Sequence, residues 1–349
     1  MQECSPPAQV AGRTPEKALL SPSRARYGEG MSRIDRPALG ILLICAGVTA
    51  ISVNDFQIKL LSGGYPLHQI VFIRSAIGLA LTLVLLRFEG GFAALRTATP
   101  GLHLLRGLFV VAANMTFYAA VAVLPLAQAT ALFFVAPLFI TLLSIPFLGE
   151  RVGPVRLFAV VAGFAGVLLM QVPEAEGAGT VSPGVLLLPV AAAFLYASMQ
   201  VLTRKLGAQA SAAALAIYIQ TTFLIVSALF FLVAGDGRFA EHTTNDSLRF
   251  LLRAWHWPTP EDWPLFLGIG AVAGVIGYCL SAAYRLANAS IIAPFEYLGL
   301  PLAILWGWLV FGEWPSVLTW AGSALIVGAG LVVFFREGAR PRPNRAARR

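Results

Sequence analysis

Between Arg106 and Glu150 the sequence runs for 43 residues without a charged side chain. A membrane-spanning helix needs about 20 mostly apolar residues, so this run is long enough for two crossings. Pro125 lies within it and provides the turn between them. Only 12% of the whole chain is charged and 58% is hydrophobic, whereas a soluble domain carries about 25% charged residues. The composition therefore excludes a single soluble core and a disordered chain, and it predicts a protein immersed in a membrane.

Similar apolar stretches recur along the rest of the chain. They do not alternate in polarity as the strands of a membrane barrel do, so we expect helices. The predicted fold is an all-α membrane protein with ten transmembrane helices. The predicted spans lie near residues 38–61, 66–86, 103–123, 127–148, 155–172, 183–203, 212–234, 263–286, 290–311 and 316–335.

The two ends of the chain differ from this pattern. Residues 1–36 contain no apolar stretch, so they predict a disordered cytoplasmic tail rather than a secretory signal, and Met31 is an alternative start. Residues 336–349 form a basic tail. With the N-terminus inside, 20 of the 25 Lys and Arg residues fall on the inner side and three on the outer side. Cations collect on the cytoplasmic side of membranes, so the net charge of +8 predicts two cytoplasmic tails and not a nucleic-acid partner.

One predicted outer loop, residues 235–262, is long and contains several Trp and Pro residues. Such residues favour the membrane–water interface. Two interpretations are open: a short surface helix near residues 245–254, or a plain spacer between two spans.

The two halves of the chain resemble each other. The segment from Asn54 to Leu61 aligns with Met199 to Leu206, 145 positions later, so that Lys59 falls on Arg204. Farther on, Phe147-Leu148-Gly149-Glu150 matches Phe311-Gly312-Glu313, with the two glutamates 163 positions apart. Five spans per half force opposite orientations on the two halves. The sequence thus predicts two inverted five-helix repeats, residues 37–172 and 183–335, an architecture typical of transporters.

The chain resembles the EamA family of the drug/metabolite transporter superfamily over about residues 38–336. The resemblance rests on the ten-span pattern and on two motifs, Ala127-Gln128-Ala129-Thr130-Ala131-Leu132 before Gly149-Glu150-Arg151 and Ala289-Ser290-Ile291-Ile292-Ala293-Pro294-Phe295-Glu296-Tyr297 before Gly312-Glu313. It implies two five-helix bundles that move a small organic metabolite, such as an amino-acid derivative, a nucleoside-like solute or a flavin-like solute. Within the family, the chain looks most like the branch assigned to uptake of S-adenosylmethionine or riboflavin.

Charged side chains inside predicted spans are the first candidates for a site, because a charge at the bilayer centre costs roughly 2.5–3.5 kcal/mol on insertion scales. Asp55 lies about 9 Å and Arg74 about 12 Å from the outer ends of their spans, at 1.5 Å per residue. We expect them to pair, either as part of a substrate-binding patch or only to join two helices. Lys59, one helical turn after Asp55, is a further candidate or a cation that reaches the membrane surface.

Glu296 is an acidic residue in the predicted ninth span, after Pro294. It is a candidate for proton coupling or for contact with a cationic substrate, and the alternative is a solvated helix start. Neutral polar side chains inside spans are candidates for orienting a polar solute, or for hydrogen bonds between helices worth under about 1 kcal/mol each. They are Asn54, Asn114, Gln200, Tyr218, Gln220 and Tyr278.

The sequence contains no phosphate-binding loop or nucleophile motif, so transport is predicted to be secondary. The alternative is an intramembrane transferase. No metal site or cofactor is expected, because the four His and three Cys are scattered. The expected partners are a small-molecule substrate, protons if transport is coupled to them, and the lipid bilayer, with the chain a monomer or homodimer in the bacterial inner membrane.

Overall fold

The computed structural model describes residues 37–88, 91–95, 100–149, 153–170, 183–206, 212–286 and 293–338. The predicted tail 1–36 and most of the basic tail, as well as Glu150, lie outside these residues. The described residues are mostly α-helical, with two 3₁₀ segments at Gly91–Leu95 and Ala293–Leu298. The α-helices are α1 (Pro37–Leu61), α2 (Leu67–Phe88), α3 (Pro100–Val121), α4 (Leu126–Phe133), α5 (Ala136–Leu148), α6 (Pro154–Leu169), α7 (Pro183–Leu206), α8 (Ala212–Ala234), α9 (Asp246–Leu252), α10 (Trp263–Leu286), α11 (Gly299–Phe311) and α12 (Val317–Gly338).

Seven helical stretches of the described chain are long and apolar enough to cross a membrane. They correspond to the first four and the sixth to eighth predicted spans. Three shorter apolar helices, Leu157–Leu169, Phe295–Phe311 and Val317–Val332, lie at the remaining three positions. The protein is therefore a multi-pass, all-helical membrane protein.

The predicted fourth span is broken into α4 and α5 at Phe134 and Val135. Pro137 occupies the first turn of α5, where the missing N–H of proline costs no helical hydrogen bond. Pro137 lies near the middle of the fourth predicted span, and the structure places it at the start of a new helix. The 3₁₀ segment Ala293–Leu298 is followed directly by α11, so the ninth predicted span has a similar discontinuity.

The helices after these two discontinuities end in the same way. Both α5 and α11 have 13 residues and end at a glycine with φ of 67°, Gly149 and Gly312. A left-handed residue after the last helical turn favours glycine, because a Cβ would be strained there. The two glycines are 163 positions apart, the spacing seen in the sequence alignment.

The long helices pack in a regular set of pairs. Helix α1 packs on α10, α3 on α7, α2 on α8, and α6 on α12. Glycines permit the closest of these contacts: a Cβ added at Gly166 of α6 would lie 2.8 Å from the carbonyl oxygen of Gly322 in α12. Small residues at such crossings let two backbones approach, which is how membrane helices gain packing contacts.

The segment between α8 and α10 is docked on the turn between α1 and α2. It contains α9, which confirms the predicted short helix, and Asn245 caps that helix by accepting a hydrogen bond from the Leu248 amide at 3.2 Å. Arg253 donates to the carbonyl oxygens of Ser62 and Gly63 at 3.2 and 2.8 Å. This segment is therefore more than a spacer. We call the end of the helices that carries it the loop face.

Further bonds fix the docked segment to the start of α2. The Tyr65 hydroxyl donates to Asp262 at 2.6 Å and accepts from the Thr259 amide at 3.0 Å. The Gln69 side chain donates to the His256 carbonyl oxygen at 2.5 Å. These contacts join segments almost 200 positions apart in the chain, so they order the loop face around α1 and α2.

Candidate substrate-binding site

Four side chains from three neighbouring helices form a buried polar cluster. It consists of Asn54 and Asp55 on α1, Arg74 on α2 and Tyr118 on α3, each with no more than 8% of its surface exposed. The Tyr118 hydroxyl donates to the Asp55 carboxylate at 2.8 Å and accepts from the Asn54 amide at 2.7 Å. The Asn54 amide also donates to Asp55 at 3.2 Å. Asp55 thus accepts two hydrogen bonds, which offset part of the cost of burying a carboxylate.

Arg74 joins the cluster through Asn54. Its Nη1 donates to the Asn54 side-chain oxygen at 3.2 Å. The prediction of a direct ion pair between Asp55 and Arg74 is wrong, because the Asn54 amide lies between the two charged groups and bonds to both. Because Asp55 and Arg74 lie at similar depths in neighbouring helices, their charges are close together. The depth of a residue does not predict which other residue lies between the two charges.

The guanidinium of Arg74 retains unused hydrogen-bonding capacity. Its Nε is buried and has no hydrogen-bond partner among the described residues. Its central carbon lies 5.1 Å from the ring centroid of Phe223 on α8, a cation–π contact. A buried N–H without an acceptor costs roughly 1–3 kcal/mol. An acceptor atom on a bound solute would remove that cost, so Arg74 is the strongest candidate for direct substrate contact.

Two aromatic pairs join the first half of the chain to the second. Phe56, the residue after Asp55, packs on Trp306 of α11 with ring centroids 4.7 Å apart. The Trp306 indole nitrogen is buried and also lacks a hydrogen-bond partner within the described part of the chain. Farther along, Phe134 meets Tyr297 edge to face at 5.2 Å. Polar donors beside half-buried rings suit a solute with a planar ring and polar substituents.

Lys59 is part of an ion pair and does not extend to the membrane surface. Its Nζ lies 2.5 Å from the Glu313 carboxylate, and its side chain is only 9% exposed. It also donates to the Leu124 carbonyl oxygen at 2.7 Å. The interpretation as a surface-reaching cation is therefore wrong, because the turn after α11 brings a carboxylate to the end of α1. The sequence marked Glu313 as a repeat position but did not identify it as this partner.

Two other predicted residues lie near the cluster. Gln220 on α8 is buried, and its side-chain nitrogen lies against Gly78, one helical turn after Arg74 on α2. Its side-chain oxygen has no hydrogen-bond partner among the described residues. Asn114 is half-buried on α3, one turn before Tyr118. Both positions are compatible with lining the same site as Arg74 and Asp55.

Other predicted residues lie elsewhere. Gln200 on α7 donates to the Tyr196 hydroxyl at 2.8 Å, and Tyr196 interacts electrostatically with Glu296 and Arg106. Glu296 itself is half-buried in the second 3₁₀ segment.

Two tyrosines do not line the predicted site. Tyr218 donates to the Leu95 carbonyl oxygen and stacks on His103 at 4.8 Å, so it supports the connection between α2 and α3. Tyr278 is 45% exposed on the outside of α10. Conversely, sequence reasoning missed Tyr118, whose spacing of four residues from Asn114 places both on one face of α3.

A charged, hydrogen-bonded cluster buried among apolar membrane helices is typical of membrane transport proteins. The comparison with known families agrees. The chain belongs to the EamA-like transporter family, which it matches over residues 38–172 and 182–335. This confirms the resemblance seen in the sequence, and the protein is a secondary transporter of small metabolites.

Several curated relatives cover almost the whole chain. A protein of Brucella anthropi named riboflavin transporter is 32% identical over 80% of this chain and 92% of its own length. The pseudopaline exporter CntI of Pseudomonas aeruginosa is 32% identical over 83% of this chain and 94% of its own. The S-adenosylmethionine uptake transporter of Rickettsia prowazekii is 25% identical over 85% and 93%. These relatives are named as transporters, and nothing among them favours the transferase alternative.

One solved crystal structure of a protein with 20% sequence identity has a similar fold. The TM-score is 0.58, and the match covers 87% of this chain and 99% of that one. At this identity the likeness concerns the fold alone.

Proposed function

We propose that this protein moves a flavin-like solute across the bacterial inner membrane by alternating access of two inverted five-helix repeats. The observation that carries the proposal is the buried cluster of Asn54, Asp55, Arg74 and Tyr118, with an unpartnered N–H on Arg74. A buried group with an unmet hydrogen bond is costly, and a transported solute supplies the missing acceptor when it binds.

The helix pairs support the inverted-repeat arrangement. Exchanging the first five spans with the last five turns the pair α1–α10 into α7–α3, and both pairs are present. The pairs α2–α8 and α6–α12 change into themselves. A two-fold relation between halves requires such a pattern. In this arrangement α6, the span formed by the second 3₁₀ segment with α11, and α12 also cross the membrane. The number of crossings is then ten.

The contact between Phe134 and Tyr297 also supports a two-fold axis that relates the two halves. These residues are 163 positions apart, like Gly149 and Gly312, and their rings touch. Two equivalent positions in a two-fold structure touch each other only close to the axis. The contact therefore supports an arrangement in which the discontinuous helices meet at the centre, where inverted-repeat transporters bind their substrate.

Contacts across the two halves support the proposal that the polar cluster lies in the transport pathway. The cluster belongs to α1, α2 and α3, while Phe223, which contacts Arg74, belongs to α8 of the second half. Phe56, the residue after Asp55, packs on Trp306 of α11, also in the second half. A solute bound there would touch both halves and respond to their relative motion. We also propose Glu296 as the proton-coupling residue.

The assignment of a flavin-like solute rests on the names of the relatives and on the chemistry of the candidate site. Three relatives named riboflavin transporters are 32–34% identical to this chain. A flavin has a planar ring that can pack on Phe56 and Trp306, and carbonyl oxygens that can accept from Arg74. The relatives also include a named exporter, so direction is left to experiment.

Purified protein in proteoliposomes should take up radiolabelled riboflavin, and unlabelled riboflavin should compete. S-adenosylmethionine and an amino acid serve as competitors from other solute classes. Protein-free liposomes are the control. Uptake competed by S-adenosylmethionine but not by riboflavin would reject the flavin assignment while leaving the transporter intact.

A reporter enzyme active only in the periplasm tests the ten-span topology with both tails cytoplasmic. The reporter should be silent when fused after Phe335 and active when inserted near Asp246 in the loop-face segment. Cations on the predicted inner side outnumber those outside by 20 to 3, and this bias fixes orientation. An active fusion after Phe335 would contradict the even number of crossings.

A further inference from the structure

The Lys59–Glu313 pair joins the two halves of the chain at the loop face. Glu313 follows the last turn of α11, and Lys59 lies in the last turn of α1. While one carboxylate oxygen of Glu313 lies 2.5 Å from Lys59, the other accepts from the Leu126 amide at 3.1 Å. Lys59 in turn donates to the Leu124 carbonyl oxygen. The pair therefore connects the end of α1, the α3–α4 turn and the α11–α12 turn.

The pair lies between the polar cluster and the loop face. Lys59 is one helical turn after Asp55 on the same side of α1, so it is nearer to the end of the helix at Leu61. Ser52 is on the same side, one turn deeper than Asp55. A solute moving from the loop face to Asp55 along this side of α1 meets the Lys59–Glu313 pair first.

We propose that the Lys59–Glu313 pair is a reversible latch that closes the loop-face entrance to the polar cluster and separates whenever that entrance opens. The inference deepens the proposed transport function and rests on it for the assignment of the cluster as the substrate site. Opening requires the two halves to part here, because one partner belongs to each half.

The chemistry of the pair suits a reversible contact. Glu313 is 26% exposed, so water reaches its carboxylate and can solvate it when the pair separates. Lys59 is held by two acceptors and also lies 5.0 Å from the Phe311 ring centroid. Three contacts make the closed form specific, and the partial exposure of Glu313 limits the cost of breaking it.

Thiol labelling tests the latch without any substrate. The reporter is Ser52→Cys in a chain whose three native cysteines are replaced by Ala. Ser52 is buried, and its hydroxyl has no hydrogen-bond partner among the described residues, so the change is conservative. A membrane-impermeant thiol reagent is applied from the loop face. Lys59→Met and Glu313→Gln are each expected to raise the labelling rate at least tenfold.

Matched variants separate the latch from a general loosening of the protein. Lys59→Arg keeps the charge and should label as slowly as the parent. Arg249→Gln breaks an exposed ion pair with Asp246 on the same face and should also leave labelling unchanged. Equal labelling rates in the parent, Lys59→Met and Glu313→Gln would overturn the latch, as would fast labelling in the parent.

The result is independent of the solute. If riboflavin uptake fails but Lys59→Met exposes Ser52→Cys, the flavin assignment falls and the latch stands. If uptake succeeds and labelling never changes, the transport function stands and the latch falls. If a variant is retained poorly in the membrane, the graded change Glu313→Asp replaces it, with an intermediate labelling rate expected.

Discussion

Asp55→Asn is expected to reduce transport by about 100-fold at equal membrane expression. The substitution removes the carboxylate of the cluster and leaves the charge of the buried Arg74 guanidinium uncompensated by it. An uncompensated buried charge costs about 3–5 kcal/mol. It also changes the acceptor of the Tyr118 hydroxyl and the Asn54 amide, which bond to Asp55 at 2.8 and 3.2 Å. Initial rates of riboflavin uptake into proteoliposomes measure the effect.

Two further variants define what the cluster does. Tyr118→Phe keeps the ring and removes one hydroxyl, so a loss of about tenfold is expected from one or two buried hydrogen bonds. The double variant Asp55→Asn/Arg74→Gln should recover thermal stability relative to either single variant, because no lone charge remains. It should not recover transport if Arg74 contacts the solute, and it should recover both if the cluster only joins helices.

Ser227→Ala is the matched control. Ser227 is buried on α8, and its hydroxyl has no hydrogen-bond partner in the described part of the chain. Removal of this hydroxyl should leave transport near the parental rate.

Additive stability losses in the Asp55/Arg74 double variant would contradict an electrostatic link between the two charges.

The second large effect is expected at the contact between α6 and α12. Gly166→Ala would place a methyl group 2.8 Å from the Gly322 carbonyl oxygen, and backbone atoms cannot rotate away as a side chain can. The two helices must therefore separate slightly, and overpacking of this kind costs about 1–3 kcal/mol. We expect a fall of several degrees in the thermal unfolding midpoint of detergent-solubilised protein at a fixed heating rate.

Gly328→Ala on α12 provides the comparison for this change. A Cβ at Gly328 would have nothing within 4 Å, so only the helix propensity changes. Alanine is favoured over glycine in a helix by about 0.5–1 kcal/mol. The midpoint should stay the same or rise slightly. A similar fall in both variants would show that the α6–α12 distance does not limit stability.

The membrane class and most helix positions could be predicted because they depend on hydropathy, which is a property of each segment alone. The discontinuities were harder to place. Pro137 lies in the fourth predicted span, but proline occurs both at kinks and at helix starts. The choice between the two depends on where α4 ends, which tertiary packing decides.

The site was predicted only in part, for a similar reason. Asp55 and Arg74 stood out because a charge in a membrane span is costly, and both do lie in the cluster. Glu313 did not stand out, because a glutamate in a turn is ordinary. Tyr118 was missed although Tyr218 and Tyr278, two other tyrosines inside spans, were candidates. Tyr278 looked the same as Tyr118 in sequence, but helix rotation exposes it. Which face of a helix is buried depends on its neighbours, and a uniformly apolar helix carries little information about that.

The contact between Phe134 and Tyr297 has a consequence for the resting state of the transporter. In the proposed arrangement, the two access states exchange the environments of the two halves, so identical halves would give both states equal free energy. Phenylalanine and tyrosine differ by one hydroxyl, and the hydroxyl of Tyr297 fits against Gly330 of α12, where a Cβ would collide with it. The halves differ at many positions, and in the proposed arrangement this oxygen is a difference that lies at the axis itself. We therefore expect it to contribute to the population of the two states in the absence of solute, and so to the apparent affinity measured from each side, without any contact with the solute.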